Sequence, residues 1–174
     1  MSTPAADATA VMELQSWEAR SMVTAAMLNP ALIALIVTVA ANRYEHDSGE
    51  PMPWELSFLV VPMALHADSR NAVPTRVTSR LPKWVNDNPL IAAGLGPRAE
   101  GVAPYVREGI RWGLRAGALT LDSEGRFIGT VHGRFNKGDT PDLREVINTA
   151  RFLGRWFASV GSMATVFALL GVTP

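Results

Sequence analysis

The chain has 174 residues and a formal net charge of zero, a length that fits one sizeable hydrophobic core and is short for two. Because it contains no cysteine, a disulfide framework and a thiolate metal site are excluded, which fits a reducing cytosol. Residues 1–10 lack the basic start and apolar run of a secretory signal, so we expect a cytoplasmic protein.

The charge is unevenly divided along the chain. Residues 1–60 carry seven Asp/Glu and two Lys/Arg, whereas residues 61–174 carry nine Asp/Glu and fourteen Lys/Arg. Such a division can produce one acidic and one basic surface, suited to protein contacts or to an acidic partner such as nucleic acid. Solvated charge without any ligand is the alternative interpretation.

The N-terminal region is predicted to be a tail followed by an amphipathic helix. Residues 1–9 are small, polar and unpatterned. From Val11, apolar side chains recur near one helical face as far as Met22, which predicts a helix that ends at about Leu28. We therefore assign residues 1–28 to an extension and residues 29–174 to a single domain.

The most apolar stretch, residues 30–41, predicts the central helix of the fold. Asn29 can cap it, and Pro30 suits the first helical position, where a missing N–H donor costs nothing. Twelve residues rise about 18 Å, whereas a bilayer core is about 30 Å thick. We expect a buried core helix rather than a membrane span, followed by a turn-rich connection over residues 44–51.

Further helices are predicted between residues 53 and 117. Residues 53–66 form a second apolar segment, which Pro62 should kink or split near Val60. Residues 70–79 suggest an extended linker. The elements expected after it are a short helix capped by Ser79 and ending at Asp87, one or two helical turns over residues 90–95, and a longer helix from Pro97 that stops at Gly117.

A β-hairpin is predicted over residues 118–131, where apolar and polar residues alternate around a turn at residues 122–125. A helix that runs directly into a hairpin has the local order of a winged-helix module, an order that unrelated α+β proteins share. Thr140 and Pro141 then begin a helix that Gly161 ends. A last helix is expected from Met163 to Leu170, with a strand as the alternative.

Motifs for nucleotide binding, metal binding and catalysis fail on inspection. Residues 133–140 have the outer spacing of a phosphate loop, but Asp139 stands where the essential Lys belongs. The three histidines lack metal-pair spacing. His66 with Asp68 is the nearest approach to a site, although a histidine that interacts with a helix end is the more common situation. We therefore predict no catalytic residue, cofactor or metal ligand.

Basic and aromatic residues suggest binding instead. Wing-like contacts with a nucleic-acid backbone are predicted for Arg126, Arg134 and Lys137. The overall neutrality of the chain argues against tight, autonomous, sequence-specific binding. Because arginine and aromatic side chains are enriched at binding hot spots, the predicted partner interface consists of Trp54, Phe58, Arg155, Trp156 and Phe157. Burial in the core is the alternative interpretation of the aromatic residues.

Three apolar segments carry a resemblance to a known family: residues 29–36, residues 56–66 with Pro74 beyond them, and residues 152–157 followed by 165–172. In this order they resemble the middle component of three-component ABC-ATPase conflict systems, the class to which Lamassu-type anti-phage systems belong. The resemblance spans about residues 29–174 and implies a winged-helix-like adaptor beside an SMC-like or RecN-like ABC ATPase and a toxic effector, often a nuclease. It supplies no catalytic residue.

Three functional hypotheses follow. The first is a non-enzymatic adaptor in anti-phage defence that couples DNA sensing by the ATPase to control of the effector. The second is a winged-helix transcription regulator. The third is an enzyme whose catalytic residues converge from separate parts of the chain, which a deep polar pocket containing His66 with Asp68 would support. The predicted fold is α+β and mainly α, a winged-helix-like helical domain with one hairpin wing and C-terminal helices.

Overall fold

A computed structural model describes residues 14–131 and 140–172 of the chain. The fold is mostly helical, at 71% helix, with one two-stranded antiparallel hairpin, which confirms the predicted α+β, mainly α class. Its helices and strands are α1 (Met22–Met27), α2 (Pro30–Ser48), α3 (Ser57–Leu65), α4 (Ala67–Ala72), α5 (Leu81–Asp87), α6 (Pro89–Ala93), α7 (Leu95–Arg115), β1 (Leu119–Leu121), β2 (Phe127–Gly129), α8 (Pro141–Val160) and α9 (Met163–Leu170).

Helix α2 is the centre of the core, as predicted. The Asn29 side chain caps it by accepting a hydrogen bond from the Ala31 N–H at 2.8 Å. From residue 33 to residue 41 every side chain except that of Leu35 is buried, because α3, α7, α8 and β2 all pack against this helix. By length and composition residues 22–48 also pass a test for a membrane span, as core helices of soluble proteins do. Because α2 is buried by neighbouring elements on several sides, it is a core helix of the fold.

The end of α2 corrects the sequence prediction. The expected turn-rich connection from residue 44 is wrong, since the helix continues to Ser48 and ends at Gly49, whose φ is +78°. Tyr44 is buried in the core and so extends the apolar stripe by one more turn. On the exposed side of the same turn, Arg43 and Asp47 form an i, i+4 ion pair.

Two glycines let neighbouring elements reach the α2 backbone. A Cβ atom added at Gly154 of α8 would lie 2.2 Å from the Ala40 carbonyl oxygen, and one at Gly129 of β2 would lie 2.2 Å from that of Thr38. Any side chain at either position would therefore collide with the backbone of α2. These glycines set the short separation between α2 and its neighbours.

The predicted hairpin is confirmed. Its register pairs Leu119 with Gly129 and Leu121 with Phe127, and the turn contains Gly125 at a φ of +78°. The hairpin lies on the body of the protein: Phe127 exchanges two backbone hydrogen bonds with Met52, at 2.7 and 3.0 Å. A 2.9 Å hydrogen bond from the Asn42 amide to the Gly129 carbonyl oxygen fixes β2 to α2. The hairpin therefore packs on the core instead of projecting as a free wing.

The N-terminal helix is shorter than predicted. A 3-10 turn covers Trp17–Ala19 and α1 covers Met22–Met27, so a continuous helix as far as residue 28 is wrong for the described residues. Ser21 has an extended conformation and caps α1 through a hydrogen bond from the Thr24 N–H, which interrupts the helix. No residue of α1 is buried, and Met22 is 89% exposed.

Several boundaries in the middle of the chain also differ from the predictions. Helix α3 continues through Pro62 to Leu65, so no split occurs near Val60. Helix α4 occupies part of the predicted linker, and Arg80 rather than Ser79 occupies the N-cap position of α5. Helix α7 begins at Leu95, two residues before the expected start.

The C-terminal region folds as predicted into two helices, and the alternative strand is absent from the described residues. Gly161 ends α8 at a φ of +79°, and the Ser162 side chain caps α9. The axes of α8 and α9 differ by 108°. This bend brings α9 back across the fold, where it packs against α5 and α8.

Candidate partner-binding groove

A surface groove of about 450 Å³ lies where the start of α3 faces α7 and the C-terminal end of α9. We call it the aromatic groove. Along α7 its wall consists of small residues one helical turn apart, Gly96, Ala99 and Ala103, which leave room for a guest side chain. Among the described residues, its lining comprises Trp54, Glu55, Phe58, Gly96, Ala99, Glu100, Ala103, Arg107, Phe167, Gly171 and Val172.

Aromatic rings and one cation dominate the open side of this groove. Trp54 remains 45% exposed although it is a large apolar side chain. Its ring meets Phe58 edge-on, with centroids 5.9 Å apart and an interplanar angle of 79°. The Arg107 guanidinium carbon lies 5.6 Å from the Phe58 centroid, within the range of a cation–π contact. The groove thus combines apolar area with a fixed positive charge, the composition of a binding hot spot.

Local sequence explains how these side chains are held. Trp54 opens a 3-10 turn directly after Pro53, and this turn leads into α3. Phe58 lies one helical turn later, so both rings point to the same side. Glu55 and Glu100 add carboxylates to the lining, and neither forms an ion pair within the described residues. An apolar guest with basic flanking residues would match this lining.

A second cleft, of about 610 Å³, lies between the segment before α5, the end of α8 and one face of α9. We call it the arginine cleft, after Arg80 and Arg155. Arg155 is exposed and its Nε lies 4.0 Å from Asp47 Oδ1, the limit of an ion pair. The lining comprises Asp47, Val77, Thr78, Ser79, Arg80, Leu81, Pro82, Arg155, Ala158, Ser159, Val160, Thr165 and Leu169.

Helix α9 is a wall of both clefts. Thr165 and Leu169, four residues apart, face the arginine cleft. Phe167 and Gly171, also four residues apart, face the aromatic groove. Because an α-helix turns by 100° per residue, residues 165 and 167 lie on nearly opposite sides. One short helix therefore separates the two clefts.

The five residues of the predicted partner interface lie in three different places. Trp54 and Phe58 line the aromatic groove, and Arg155 lines the arginine cleft. Trp156 and Phe157 are core residues, each 1% exposed. The Trp156 Nε1–H donates a 2.7 Å hydrogen bond to the Ser79 carbonyl oxygen. Of the predicted interface, only Trp54, Phe58 and Arg155 therefore line a surface cleft.

Of the three predicted nucleic-acid contacts, only Arg126 lies within the described residues. Arg126 forms ion pairs with Asp122 at 2.8 Å, Glu50 at 3.0 Å and Glu124 at 3.6 Å. Although desolvation acts in the opposite direction, hydrogen bonds from the Arg126 backbone and side chain lower the pKa of Asp122. The Arg126 charge is thus already compensated by carboxylates. Arg134 and Lys137 lie outside the described residues.

His66 has a structural position. It is the N-cap residue of α4, where its Nδ1 accepts a 3.2 Å hydrogen bond from the Ser69 N–H. Its Nε2 lies 4.0 Å from Asp68 Oδ2, and neither residue lines the aromatic groove or the arginine cleft. Within residues 14–131 and 140–172, no group of three or more His, Asp or Glu side chains could hold a metal ion.

The sequence prediction missed two important members of the aromatic groove. Arg107 and Phe167 belong to α7 and α9, far along the chain from Trp54. Only tertiary packing brings these elements together, so no local spacing signals the contact. The weak signal that exists is the apolar segment at residues 165–172, which contains Phe167 and contributed to the family resemblance.

The class of protein defined by these features is a mainly helical α+β domain with two surface clefts separated by one short helix. Residues 17–174 match the family described as ABC-three component (ABC-3C) system Middle Component 3, and the chain belongs to this family. Comparisons with curated proteins and with solved structures found no match. The resemblance to a middle component is confirmed, and membership supports an adaptor role in a multi-component system.

Proposed function

We propose that this chain is a non-enzymatic adaptor that bridges an SMC-like or RecN-like ABC ATPase and an effector, often a nuclease, in cytoplasmic anti-phage defence. Family membership supports the role of a subunit in a multi-component system. The observation that carries the proposal is the aromatic groove, in which a half-exposed tryptophan stands beside Phe58 and Arg107. In this proposal the groove receives a segment of one partner protein.

The composition of the groove suits the apolar face of an amphipathic helix of the partner. Helices that bind in grooves insert apolar side chains spaced three or four residues apart. Small residues along α7 leave room for such side chains, while Trp54 and Phe58 supply rigid apolar area. The carboxylates of Glu55 and Glu100 favour Lys or Arg beside the apolar positions, by charge complementarity.

The adaptor would act through differential binding. If it holds the effector more tightly in one nucleotide state of the ATPase than in another, nucleotide or DNA binding shifts the population of assembled complexes. A difference of about 5.5 kcal/mol moves such an equilibrium from 1:99 to 99:1, and smaller differences give graded responses. No chemistry by the adaptor itself is required.

DNA is bound mainly through the complex in this proposal. Arg126, Arg134 and Lys137 stay predicted contacts with the nucleic-acid backbone. Arg126 would first have to leave its three carboxylate partners. The salt dependence of DNA binding by the assembled complex, compared between wild type and Arg126→Gln, measures this contribution, since removing one interaction with a phosphate reduces the slope by about one.

Co-purification tests the adaptor proposal. The proteins encoded by the neighbouring genes are co-expressed with a tagged form of this chain, and the partners recovered are quantified. Trp54→Ala should weaken recovery of one partner, because truncation of an aromatic hot spot costs about 2 kcal/mol or more, roughly 30-fold in affinity. Trp112→Ala is the matched control, since Trp112 is also 45% exposed but lies outside the groove.

Two results would contradict the proposal. The first is that the wild-type chain is recovered alone although both neighbouring proteins are soluble. The second is that Trp54→Ala and Trp112→Ala weaken recovery equally, because the effect would then belong to exposed apolar area in general and not to the groove.

A further inference from the structure

The arginine cleft contains positive charge that the fold does not neutralise. Among the described residues Arg80 forms no ion pair and no side-chain hydrogen bond, and Arg155 has only the 4.0 Å contact with Asp47. Asp47 is already engaged by Arg43, at 2.5 Å through one carboxylate oxygen and 3.1 Å through the other. Among the described residues, the lining of the cleft contains two guanidinium groups, those of Arg80 and Arg155, and one carboxylate, that of Asp47. The cleft therefore carries a net positive charge.

From this arrangement we infer that the arginine cleft binds a small phosphorylated ligand, with Arg80 and Arg155 holding the phosphoryl group. Guanidinium groups bind phosphate oxygens in a bidentate geometry, and these charge-assisted hydrogen bonds are stronger than neutral ones. The inference does not depend on the adaptor role, because it concerns the opposite side of α9 from the aromatic groove.

The remaining lining of the cleft suits the rest of such a ligand. Hydroxyl groups of Thr78 and Thr165 can donate further hydrogen bonds to the ligand, whereas the Ser159 hydroxyl already donates to the Trp156 carbonyl oxygen at 2.6 Å. Apolar walls come from residues such as Leu81 and Leu169 and can cover a less polar body attached to the phosphate. The volume of about 610 Å³ lies within the range of small-molecule sites, about 300–1,000 Å³, which accommodates a ligand of nucleotide size.

The wall of the cleft is held in place from behind. The Trp156 Nε1–H hydrogen bond to the Ser79 carbonyl oxygen, 2.7 Å long, ties the segment before α5 to α8. Trp84 of α5 packs edge-on against Trp156, with centroids 5.8 Å apart, and donates to the Ala72 carbonyl oxygen at 2.7 Å. Arg80 and Arg155 are thus attached to two backbones that cannot separate freely, which lowers the entropic cost of binding.

Calorimetric titration of the full chain tests this site, with inorganic pyrophosphate, ATP and a short single-stranded oligonucleotide as separate probes. Arg80→Gln and Arg155→Gln should each weaken binding about 10-fold or more, because a hydrogen bond to a charged group contributes about 1.5–3 kcal/mol. Arg151→Gln is the matched control, because Arg151 is exposed, lies one turn before Arg155 on α8 and outside the cleft, and donates a 3.2 Å hydrogen bond to Asn148 Oδ1. It should leave the affinity unchanged.

The probes distinguish the sources of the phosphate. If ATP binds more tightly than pyrophosphate, with the same dependence on both arginines, the ligand is nucleotide-like. If the oligonucleotide binds most tightly, the phosphate comes from a nucleic-acid backbone, and the assignment of the cleft to a small ligand is overturned. Because Arg80 and Arg155 are exposed, the variants should unfold within about 0.5 kcal/mol of wild type, which separates loss of binding from loss of folding.

Three further outcomes would overturn the inference. One is the absence of saturable binding for every phosphate probe at millimolar concentration. Another is an equal loss on Arg151→Gln, which would indicate diffuse surface charge. The third is that an oligoglutamate peptide binds with the expected dependence on Arg80 and Arg155 while pyrophosphate does not, which would assign the cleft to carboxylates of a protein partner.

Discussion

The crossing of α8 over α2 gives the sharpest test of the fold. At Gly154 an added Cβ would lie 2.2 Å from the Ala40 carbonyl oxygen and 3.0 Å from its Cα and carbonyl carbon. All of these neighbours are backbone atoms of a buried helix, so no flexible side chain can move aside. Restoring a contact distance of about 3.5 Å requires the helices to separate by more than about 1 Å.

The energetic effect of Gly154→Ala can be worked out from this geometry. Overpacking a core costs about 1–3 kcal/mol, and a clash between two backbones belongs at the upper end of that range. Replacing Gly by Ala inside a helix recovers about 1 kcal/mol through helix propensity. The net destabilisation is therefore about 2 kcal/mol, a substantial share of a total stability of about 5–15 kcal/mol.

Urea unfolding followed by circular dichroism measures this loss. With an m-value of about 2 kcal/mol/M, a loss of about 2 kcal/mol lowers the midpoint by about 1 M. Gly101→Ala is the control, because Gly101 is exposed within α7 and an added Cβ meets nothing within 4 Å. It should raise stability by about 0.5–1 kcal/mol. An unchanged or raised midpoint for Gly154→Ala would show that α2 and α8 are not in this close contact.

Three other perturbations test separate parts of the fold. Asn29→Ala should cost about 1 kcal/mol in urea unfolding, through loss of the cap of α2. The Arg20 side chain is only 3% exposed and donates two hydrogen bonds to the Glu108 carboxylate, at 2.8 and 3.0 Å. Arg20→Gln removes this ion pair, so amide hydrogen exchange over residues 17–27, measured by mass spectrometry, should become faster. The pKa of Asp122 is lowered in the folded protein. Its ionised carboxylate therefore stabilises the fold at pH values above the unfolded pKa of about 3.9, and this stabilisation is lost as the pH falls through the lower folded pKa. A pH titration of the Asp122 carboxyl carbon by NMR should show the lowered pKa.

The sequence predicted the core more reliably than its boundaries. The cap at Asn29, the apolar stretch after it and the hairpin turn at Gly125 are local signals, and the structure contains all three. The prediction ended α2 too early because Tyr44 stands among polar residues, and its burial depends on tertiary contacts. Similarly, the capping of α1 by Ser21 overrides an amphipathic pattern that would otherwise continue.

Trp54 and Trp156 show why the site could be predicted only in part. Each tryptophan has a phenylalanine close by in the sequence, so composition alone predicts a binding hot spot at both positions. Trp54 lies at the start of an element, where one side is open to solvent. Trp156 lies within α8, which packs against α2, α3 and α9. Because these neighbours surround α8 on several sides, the buried part of the helix is wider than a single amphipathic stripe. Periodicity within a single helix cannot reveal how many neighbours surround it.

The position of α9 has a consequence for a two-partner adaptor. Its buried side chains, which include Phe167, hold it against the core, while its flanking glycines, Gly161 and Gly171, both adopt left-handed conformations. Because this helix separates the two clefts, a rigid-body shift of α9 would change the shape of both clefts together. Ligands on its two sides would then influence each other reciprocally, since any coupling free energy acts equally in both directions. Binding of pyrophosphate should therefore alter the affinity of the aromatic groove for its partner in wild type. In Arg155→Gln, whose aromatic groove is unchanged, the same effect should require about 10-fold more pyrophosphate or more.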